Sequence, residues 1–247
     1  MSITGKTILI TGANRGIGQA LVNEALARGA SRVYAGTRQP LAHPDPRVTP
    51  LTLDVTDPAR VREAAGRIGS LDILVNNAGI ALYDDLSDQA LLERHLAVNL
   101  FGTYRVTQAF LPQLTRSRGS IVNNVSLMAL APFPVTPAYA ISKAAAFNLT
   151  QSLRALLAPR GVRVHAALTG PTDTEMTQGL DIPKASPESV ARAIFDALDR
   201  GEEDIFPDPM SASVADGWRH GVAKAMEREN AAFVPPEPAE PPEPAAA

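Results

Sequence analysis

The chain contains no cysteine, which excludes disulfide bonds, thiolate metal ligands and a thiol nucleophile. No uninterrupted apolar run approaches the roughly 20 residues that a membrane-spanning helix needs. The first residues also lack the basic stretch and long apolar run that are typical of a secretory signal. We therefore expect a cytoplasmic protein that does not bind a membrane.

Histidine is scarce as well, and the four histidines do not have the spacing of a metal site. They are His43, His95, His165 and His220. No cluster of acidic residues offers an alternative set of ligands. We therefore interpret the histidines as surface or core residues and predict no metal ion.

The chain also has no excess of basic residues over acidic ones. The formal net charge is −3, and residues 234–247 account for it with three glutamates and no base. The remainder is balanced, so no basic face indicates a nucleic-acid partner. Residues 1–233 are long enough for one sizeable domain. Residues 234–247, with six prolines, have too few apolar side chains to pack, and we predict a disordered tail.

A glycine-rich turn lies between a predicted strand and a predicted helix near the N-terminus. The apolar run 7–10 leads into Thr-Gly-Ala-Asn-Arg-Gly-Ile-Gly at 11–18, and helical spacing of apolar residues continues to position 28. Glycines at such a turn let the backbone approach a pyrophosphate, whose charge is stabilised by the helix N-terminus. Taken alone, the segment also fits a turn that binds no nucleotide.

Polar residues end two further predicted strands. Asp54 and Val55 follow the run 51–53, and Asn-Asn-Ala-Gly at 76–79 follows the run 72–75. Asn99 lies inside a predicted long helix, where asparagine is mildly unfavourable. By itself, Asn99 is equally well explained as a tolerated polar residue.

Lys143 lies four positions after Tyr139, and Ser126 lies upstream of both. An i,i+4 pair shares one helix face, so the ammonium can lie beside the phenol and lower its pKa of about 10. A phenol tuned in this way is a competent general acid near neutral pH. Thr136 and Pro137 predict the helix start, which places Tyr139 in the first turn.

Together these motifs resemble the short-chain dehydrogenase/reductase family in its compact single-domain form. They occur in the family's order over roughly residues 4–206: Thr-Gly-x-x-x-Gly-x-Gly at 11–18, Asp54-Val55, Asn-Asn-Ala-Gly at 76–79, Asn99, Ser126 and Tyr139-x-x-x-Lys143. The resemblance implies a Rossmann-type, doubly wound α/β fold with a seven-stranded parallel sheet in the order 3-2-1-4-5-6-7.

The residues by themselves predict an alternation of strands and helices, which favours a parallel sheet covered on both faces. The predicted strands are near 6–10, 31–36, 49–54, 72–76, 119–125, 162–168 and 203–206. The predicted helices are near 16–28, 57–68, 87–111, 137–158, 186–199 and 212–230. The segment from Arg38 to Val48 is too short and proline-rich for a helix, so we predict a loop there.

The resemblance also implies roles for four catalytic residues. Tyr139 would protonate the carbonyl oxygen of a substrate, and Ser126 would hold that oxygen. Lys143 would bind the nicotinamide ribose and lower the pKa of Tyr139. Asn99 would support a water that relays protons to Lys143.

The implied cofactor is a nicotinamide dinucleotide, and the residues expected to bind it are Gly12, Asn14, Arg15, Gly16, Ile17, Gly18, Thr37, Arg38, Asp54, Val55, Asn77, Ala78, Gly79, Tyr139, Lys143, Gly170, Thr172 and Thr174. Thr37 stands where an acid would select the 2′-hydroxyl of NADH. Arg38 and Arg15 can instead flank a 2′-phosphate. We therefore predict NADPH. One departure is Thr169, since the family usually has proline before the glycine at position 170.

Apolar residues are expected around the nicotinamide: Ile80, Ala81, Leu82, Tyr83, Leu127, Met128, Phe133, Pro134 and Met176. No Arg or Lys is placed among them to hold a carboxylate or phosphate, which favours reduction of an apolar ketone or aldehyde. Reduction of a 3-oxoacyl thioester and non-catalytic redox sensing are the alternatives. Retention of the four catalytic residue types argues against sensing. Apolar surface on helices 87–111 and 137–158 predicts a homodimer or homotetramer.

Overall fold

The strands of the sheet are short apolar segments whose residues alternate between its two faces. In a computed structural model that describes residues 2–39 and 41–234, they are β1 (Thr7–Thr11), β2 (Arg32–Thr37), β3 (Val48–Thr52), β4 (Ile73–Asn76), β5 (Ser120–Asn124), β6 (Arg163–Ala167) and β7 (Asp204–Ile205). Within these residues all strand pairs are parallel, in the order β3-β2-β1-β4-β5-β6-β7. The predicted fold class and strand order are confirmed.

Helices cover both faces of this sheet. They are α1 (Gly16–Ala27), α2 (Pro58–Arg67), α3 (Gln89–His95), α4 (Thr103–Ser117), α5 (Pro137–Leu157), α6 (Pro187–Arg200), α7 (Pro209–Arg219) and α8 (Val222–Asn230), with a π-helical segment, Leu96–Gly102, joining α3 to α4. Ile8 and Ile10 pack in the core on one face, whereas Leu9 packs in the core on the other. The sheet therefore has an apolar core on each side.

Two helix predictions were wrong in their boundaries. The helix predicted to end at residue 111 continues through Pro112 to Ser117, because Phe110 and Leu114 are both fully buried against the sheet. The helix predicted over 212–230 is two helices, α7 and α8, divided at Gly221. A Cβ on Gly221 would lie 2.8 Å from the carbonyl oxygen of Gly217, so another residue there would force the backbone between α7 and α8 to shift.

The loop predicted between β2 and β3 is confirmed, whereas most of the predicted tail lies outside the described residues. The described residues between β2 and β3 form no helix, as the prolines predicted. No described helix is long and apolar enough to cross a membrane. Residues 235–247 of the predicted tail, which was placed at 234–247, lie outside the described part of the chain.

Two buried asparagines help to position α4 and α5 on the sheet, and α5 carries the predicted catalytic residues Tyr139 and Lys143. Asn76, at the end of β4, donates to Thr107 of α4 (3.0 Å) and to the side-chain oxygen of Asn123 in β5 (2.9 Å). Asn123 in turn donates to Thr150 of α5 (2.9 Å). Because buried polar groups are costly without partners, these bonds favour one register of α4 and α5 on the sheet.

A buried cluster of charges holds the C-terminal helices against α5 and β7. Lys224 of α8 is 2% exposed. Its Nζ lies 2.8 Å from both Glu203 and Asp204. Arg154 of α5 pairs with Asp204 at 2.7 Å and also with Glu227. Burial disfavours the charged Asp204 carboxylate, but Arg154 and Lys224 outweigh that effect and lower its pKa.

Replacing Lys224 by Met keeps most of the side-chain volume but leaves buried carboxylates short of a cation. The free energy of unfolding should fall by about 3 kcal/mol, as measured by urea denaturation at neutral pH. At pH values below 3.8, the ordinary carboxyl pKa, the difference in unfolding free energy between the parent and the variant should shrink. The reason is that stability from a lowered carboxyl pKa is lost as the pH falls through the pKa of the folded state. Arg60→Ala removes an exposed pair with Glu63 and is the control, with an expected loss below about 1 kcal/mol. Equal losses in the two variants would contradict the assignment.

Candidate active site

The helix α5 brings Tyr139 and Lys143 to the carboxyl edge of the sheet, next to Ser126. Tyr139 is the third residue of α5, and Lys143 is buried one turn later. The Lys143 Nζ lies 5.7 Å from the centre of the Tyr139 ring and donates to the backbone oxygen of Asn124 (2.8 Å). Ser126 lies close enough to Tyr139 to lower the pKa of its phenol. The structure thus assembles three of the four predicted catalytic residues around one phenol.

The protonation of this group differs from the sequence-based expectation. Burial lowers the pKa of Lys143 to about 8. Burial also raises the pKa of Tyr139, although the Ser126 side chain acts in the opposite direction. The expected lowering of the phenol pKa by Lys143 is therefore not seen in this structure. The ammonium is directed at the Asn124 carbonyl and not at the phenol, so the phenol is a proton donor at neutral pH.

Asn99, the fourth predicted residue, lies in the π-helical segment and is buried. Its Oδ1 accepts from the backbone N–H of Ile80, and its Nδ2 donates to the Ile80 carbonyl and to Ser142 of α5, all at 2.9 Å. The amide thereby fixes the chain that follows β4 against α5. A π-helical turn inside a regular helix is frequent at functional sites. The proposed proton relay to Lys143 stays a prediction.

Two residues that shape this site were not predicted. Thr136 begins α5 but does not cap it with its side chain; instead the Ala138 N–H donates to the carboxylate of Asp84 at 3.2 Å. The buried His95 accepts from the Leu82 N–H (3.0 Å) and lies edge-on to the Tyr139 ring, with 6.4 Å between ring centres. Both contacts join segments far apart in sequence, so no local pattern identifies them.

The glycine-rich turn has the shape that a pyrophosphate site requires. Gly12 and Gly16 have positive φ angles of 66° and 52°. A Cβ on Gly18 would lie 2.0 Å from the Gly12 carbonyl oxygen. No side chain caps the N-terminus of α1, and its first turn contains no acid. The first N–H groups of α1 are therefore available to an anion.

Other predicted cofactor residues have structural contacts of their own. Ile17 packs against the core, whereas Asn14 is exposed beside the turn. Asn77 donates to the carbonyls of Thr11 (3.1 Å) and Gly12 (3.3 Å), and the Ala78 N–H donates to the Thr11 hydroxyl (3.0 Å). Asn77 and Ala78 therefore tie β4 to the glycine-rich turn through bonds that leave the Asn77 side chain little freedom.

The edge where the adenosine ribose is expected contains both predicted arginines. Arg38 is exposed at the end of β2, and the Thr37 hydroxyl donates to the Gln39 carbonyl at 2.5 Å. Arg15 forms an ion pair with Glu175 across the cleft. Burial opposes ionisation of Asp54, but hydrogen bonds from Thr56 and the nearby Arg38 and Arg105 lower its pKa. Val55 packs against Gly102, and a Cβ added to Gly102 would lie 2.8 Å from the Val55 side chain.

Residues after β6 form the opposite wall of the cleft. A Cβ on Gly16 would lie 3.0 Å from the Thr174 side chain, so the two walls approach closely there. The Thr172 hydroxyl donates to the Gly170 carbonyl, and the Thr174 hydroxyl donates to the Thr172 carbonyl, both at 3.3 Å. A Cβ on Gly79 would lie 3.2 Å from Asn99 and 3.6 Å from Lys143. Gly79 therefore leaves room between the cleft and the catalytic residues.

Comparison with known proteins places this site in a family. The family model for short chain dehydrogenase matches residues 6–184. The chain belongs to the short-chain dehydrogenase/reductase family. It is 34% identical to the oxidoreductase UcpA of Salmonella typhimurium, covering 83% of this chain and 88% of that protein. It is 36% identical to 2-(S)-hydroxypropyl-CoM dehydrogenase 3 of Xanthobacter autotrophicus, and the match covers 78% of this chain and 82% of that protein.

A solved structure agrees over the whole fold. The short chain dehydrogenase of Burkholderia cenocepacia J2315 in complex with NADP has 35% sequence identity to this chain and a TM-score of 0.85. The match covers 96% of this chain and all of that one. Among the residues described here, this oxidoreductase has no group of three or more His, Asp or Glu placed to hold a metal ion.

Asp84→Ala should remove the cap from α5 and cost about 1 kcal/mol of unfolding free energy. Turnover should also fall, because Tyr139 follows the capped residue directly. Asp85→Ala is the matched control, since Asp85 bonds only within its own turn to Ser87. Thermal unfolding and initial rates would be compared for the two variants. The same effect in both would contradict the role of Asp84.

Proposed function

We propose that this dehydrogenase is an NADPH-dependent reductase of ketones or aldehydes that also oxidises secondary alcohols in reverse. The observation that carries the proposal is the convergence of Ser126, Tyr139 and Lys143 on one point beside the glycine-rich turn. A protein that only bound the nucleotide would need neither the Ser126 hydroxyl nor the Tyr139 hydroxyl. Together they form a site for protonating an oxygen atom.

The chemistry divides between the cofactor and the chain. Bound NADPH would supply the hydride, held by the glycine-rich turn and the residues after β6. Tyr139 would donate a proton to the carbonyl oxygen, and its raised pKa keeps the phenol protonated until then. The Ser126 hydroxyl would hold the same oxygen. The ammonium of Lys143 would stabilise the phenolate that forms and then reprotonate it. Lys143 would regain a proton from solvent through the relay that Asn99 supports.

Preference for NADPH follows from charge at the end of β2. A 2′-phosphate there would meet Arg38 and Arg15 and no acid at position 37. Arg15 must exchange its pair with Glu175 for the phosphate, and both partners are largely exposed, so the exchange costs little. The relative from Burkholderia cenocepacia was solved with NADP, which supports the same choice.

The substrate side favours a neutral, apolar carbonyl compound. The large apolar side chains of Tyr83, Phe133 and Met176 are 66%, 43% and 48% exposed, so they are available to contact an apolar substrate. The segments 80–88 and 173–182 contain no Lys or Arg but six acids, namely Asp84, Asp85, Asp88, Asp173, Glu175 and Asp181. This negative charge repels an anionic group that carries an acyl chain as a thioester. It therefore disfavours the alternative of 3-oxoacyl thioester reduction.

We also infer that the protein is a homodimer or homotetramer through α4 and α5. The apolar side chains of Ala140 and Phe147 on α5 are buried within the subunit, so they do not belong to the surface predicted for this interface. The outward faces instead carry Phe101, Tyr104 and Ile141, which are 51%, 48% and 42% exposed. Apolar residues on neighbouring helix faces favour a self-complementary interface.

Tyr139→Phe should lower turnover by about 100-fold or more while leaving the dissociation constant for NADPH nearly unchanged, because only the proton donor is removed. Lys143→Ala should damage both turnover and cofactor binding. Steady-state rates over a panel of carbonyl compounds, with NADPH binding followed by fluorescence, would measure both. Tyr104→Phe, on the outer face of α4, is the control. Near-normal turnover of Tyr139→Phe would remove the proposed mechanism.

The specificity constant for NADPH should exceed that for NADH by about a hundredfold, since each charged hydrogen bond contributes roughly 1.5–3 kcal/mol. Arg38→Ala and Arg15→Ala should each reduce this preference. Glu175→Gln should lower the KM for NADPH without changing that for NADH, because it releases Arg15. Equal use of both cofactors by the unmodified protein would refute the assignment.

Light scattering at micromolar concentration should show a dimer or tetramer. Ile141→Asp should shift the mass towards the monomer, because it places a charge in the apolar interface. Val222→Asp on α8, where Val222 is 77% exposed, is the control and should leave the mass unchanged. A monomeric unmodified protein would contradict the inference.

A further inference from the structure

Thr169 occupies the position where the family usually has proline, and its side chain is buried. Its hydroxyl donates to the Oδ1 of Asn124 at 2.7 Å. The Nδ2 of Asn124 donates to the Oδ1 of Asn77 at 2.9 Å, and Asn77 donates to the carbonyls of Thr11 and Gly12. A continuous row of hydrogen bonds therefore crosses the ends of β6, β5, β4 and β1. It joins the wall after β6 to the glycine-rich turn.

The direction of this row is fixed by its chemistry. Asn77 directs its amide nitrogen to two carbonyls, so only its oxygen remains for Asn124. Asn124 must then present its nitrogen to Asn77 and its oxygen to the Thr169 hydroxyl. A rotated Asn124 amide would place two oxygens together. Each member therefore has one orientation, and the Thr169 hydroxyl is its terminal donor.

Asn124 also acts on the catalytic group, and a second contact holds the same wall. The backbone oxygen of Asn124 accepts from the Lys143 ammonium at 2.8 Å. Gly170, the residue after Thr169, donates its N–H to Asp208 at 2.7 Å, and a Cβ on Gly170 would lie 2.4 Å from that carboxylate. The buried Asp208 is itself fixed, because it caps α7 through Ser211. The step from Thr169 to Gly170 is thus held from both sides.

Proline restricts a backbone through its ring, which locks φ near −65°. Threonine has no such restriction and needs an external bond to hold the same step. We propose that Asn124 and Thr169 are a matched pair of positioning residues, whose side-chain hydrogen bond replaces the proline ring and fixes the wall against which the nicotinamide is held. This inference rests on the proposed function for the identity of the cofactor.

The pair can be tested by substitutions that change one bond at a time. Thr169→Val removes only the hydroxyl, Thr169→Ser retains it, and Asn124→Ala removes the acceptor. The dissociation constant for NADPH would be measured by fluorescence titration, and kcat and the KM for the carbonyl substrate by initial rates. Thr49→Val is the control, since Thr49 is a half-buried threonine of β3 far from the cleft.

Thr169→Val and Asn124→Ala should each raise the dissociation constant for NADPH by about 3- to 10-fold, the usual effect of one net hydrogen bond. kcat should fall while the KM for the carbonyl changes little, and Thr169→Ser should behave as the parent. The double variant should be no worse than Asn124→Ala alone, because both changes break the same bond. Thr49→Val should leave the dissociation constant and kcat at their parental values.

Thr169→Pro in the Asn124→Ala background provides a second, independent arm. It should recover cofactor affinity, because the ring restores the restriction that the hydrogen bond supplied. Additive losses in the Thr169→Val and Asn124→Ala double variant, or unchanged binding in Thr169→Val, would overturn the pairing. The titration needs no turnover, so it decides the pairing even where no carbonyl compound is reduced. Absence of reduction by the unmodified protein would count against the proposed function alone.

Discussion

Parallel pairing of the strands is the constraint on which the rest of the structure depends. In a parallel sheet every strand ends at the same edge, so residues that follow different strands meet there although they are far apart in sequence. Gly12 follows β1, Ser126 follows β5 and Gly170 follows β6, and all three border one cleft. The order of strands reverses between β1 and β4, which opens the crevice at that point.

Hydrogen bonds between side chains and the ends of the strands fix the positions of the residues at this edge. Asn77 and Asn124 connect β1, β4 and β5 along the cleft, while Asn76 and Asn123 connect β4 and β5 to the helices behind them. Consecutive asparagines in one strand therefore serve opposite sides of the sheet. This follows from the alternation of side chains along a strand. The cost of leaving a buried amide unpaired makes both sets specific.

Burial determines the electrostatics of the predicted catalytic residues Tyr139 and Lys143. Lys143 is buried, its ammonium donates to a backbone carbonyl, and its pKa falls to about 8. Lys224 is equally buried, but it lies among three carboxylates and its pKa is raised. The two lysines show how the same desolvation leads to opposite outcomes when the neighbouring charges differ. One is suited to chemistry, and the other holds the C-terminal helices in place.

Most of the fold could be predicted from the sequence, because strand runs, helix periodicity and the glycine-rich turn are local patterns. The spacing of Tyr139 and Lys143 on one helix face is equally local. Boundaries were less predictable: Pro112 lies inside α4 because tertiary burial of Phe110 and Leu114 outweighs its cost. The raised pKa of Tyr139 was also beyond the sequence, since desolvation depends on what covers the ring.

The sequence by itself determined the alternation of strands and helices and, through its ordered motifs, the family. The resemblance to that family then implied the order of the strands and the residues around the cleft. Only the tertiary structure decided how those residues are held. Asp84 caps α5, His95 orients the chain after β4, and Thr169 bonds to Asn124. Each of these contacts joins segments brought together by the sheet. A hydrogen bond depends on distance and direction in space, and neither is encoded in the local order of residues.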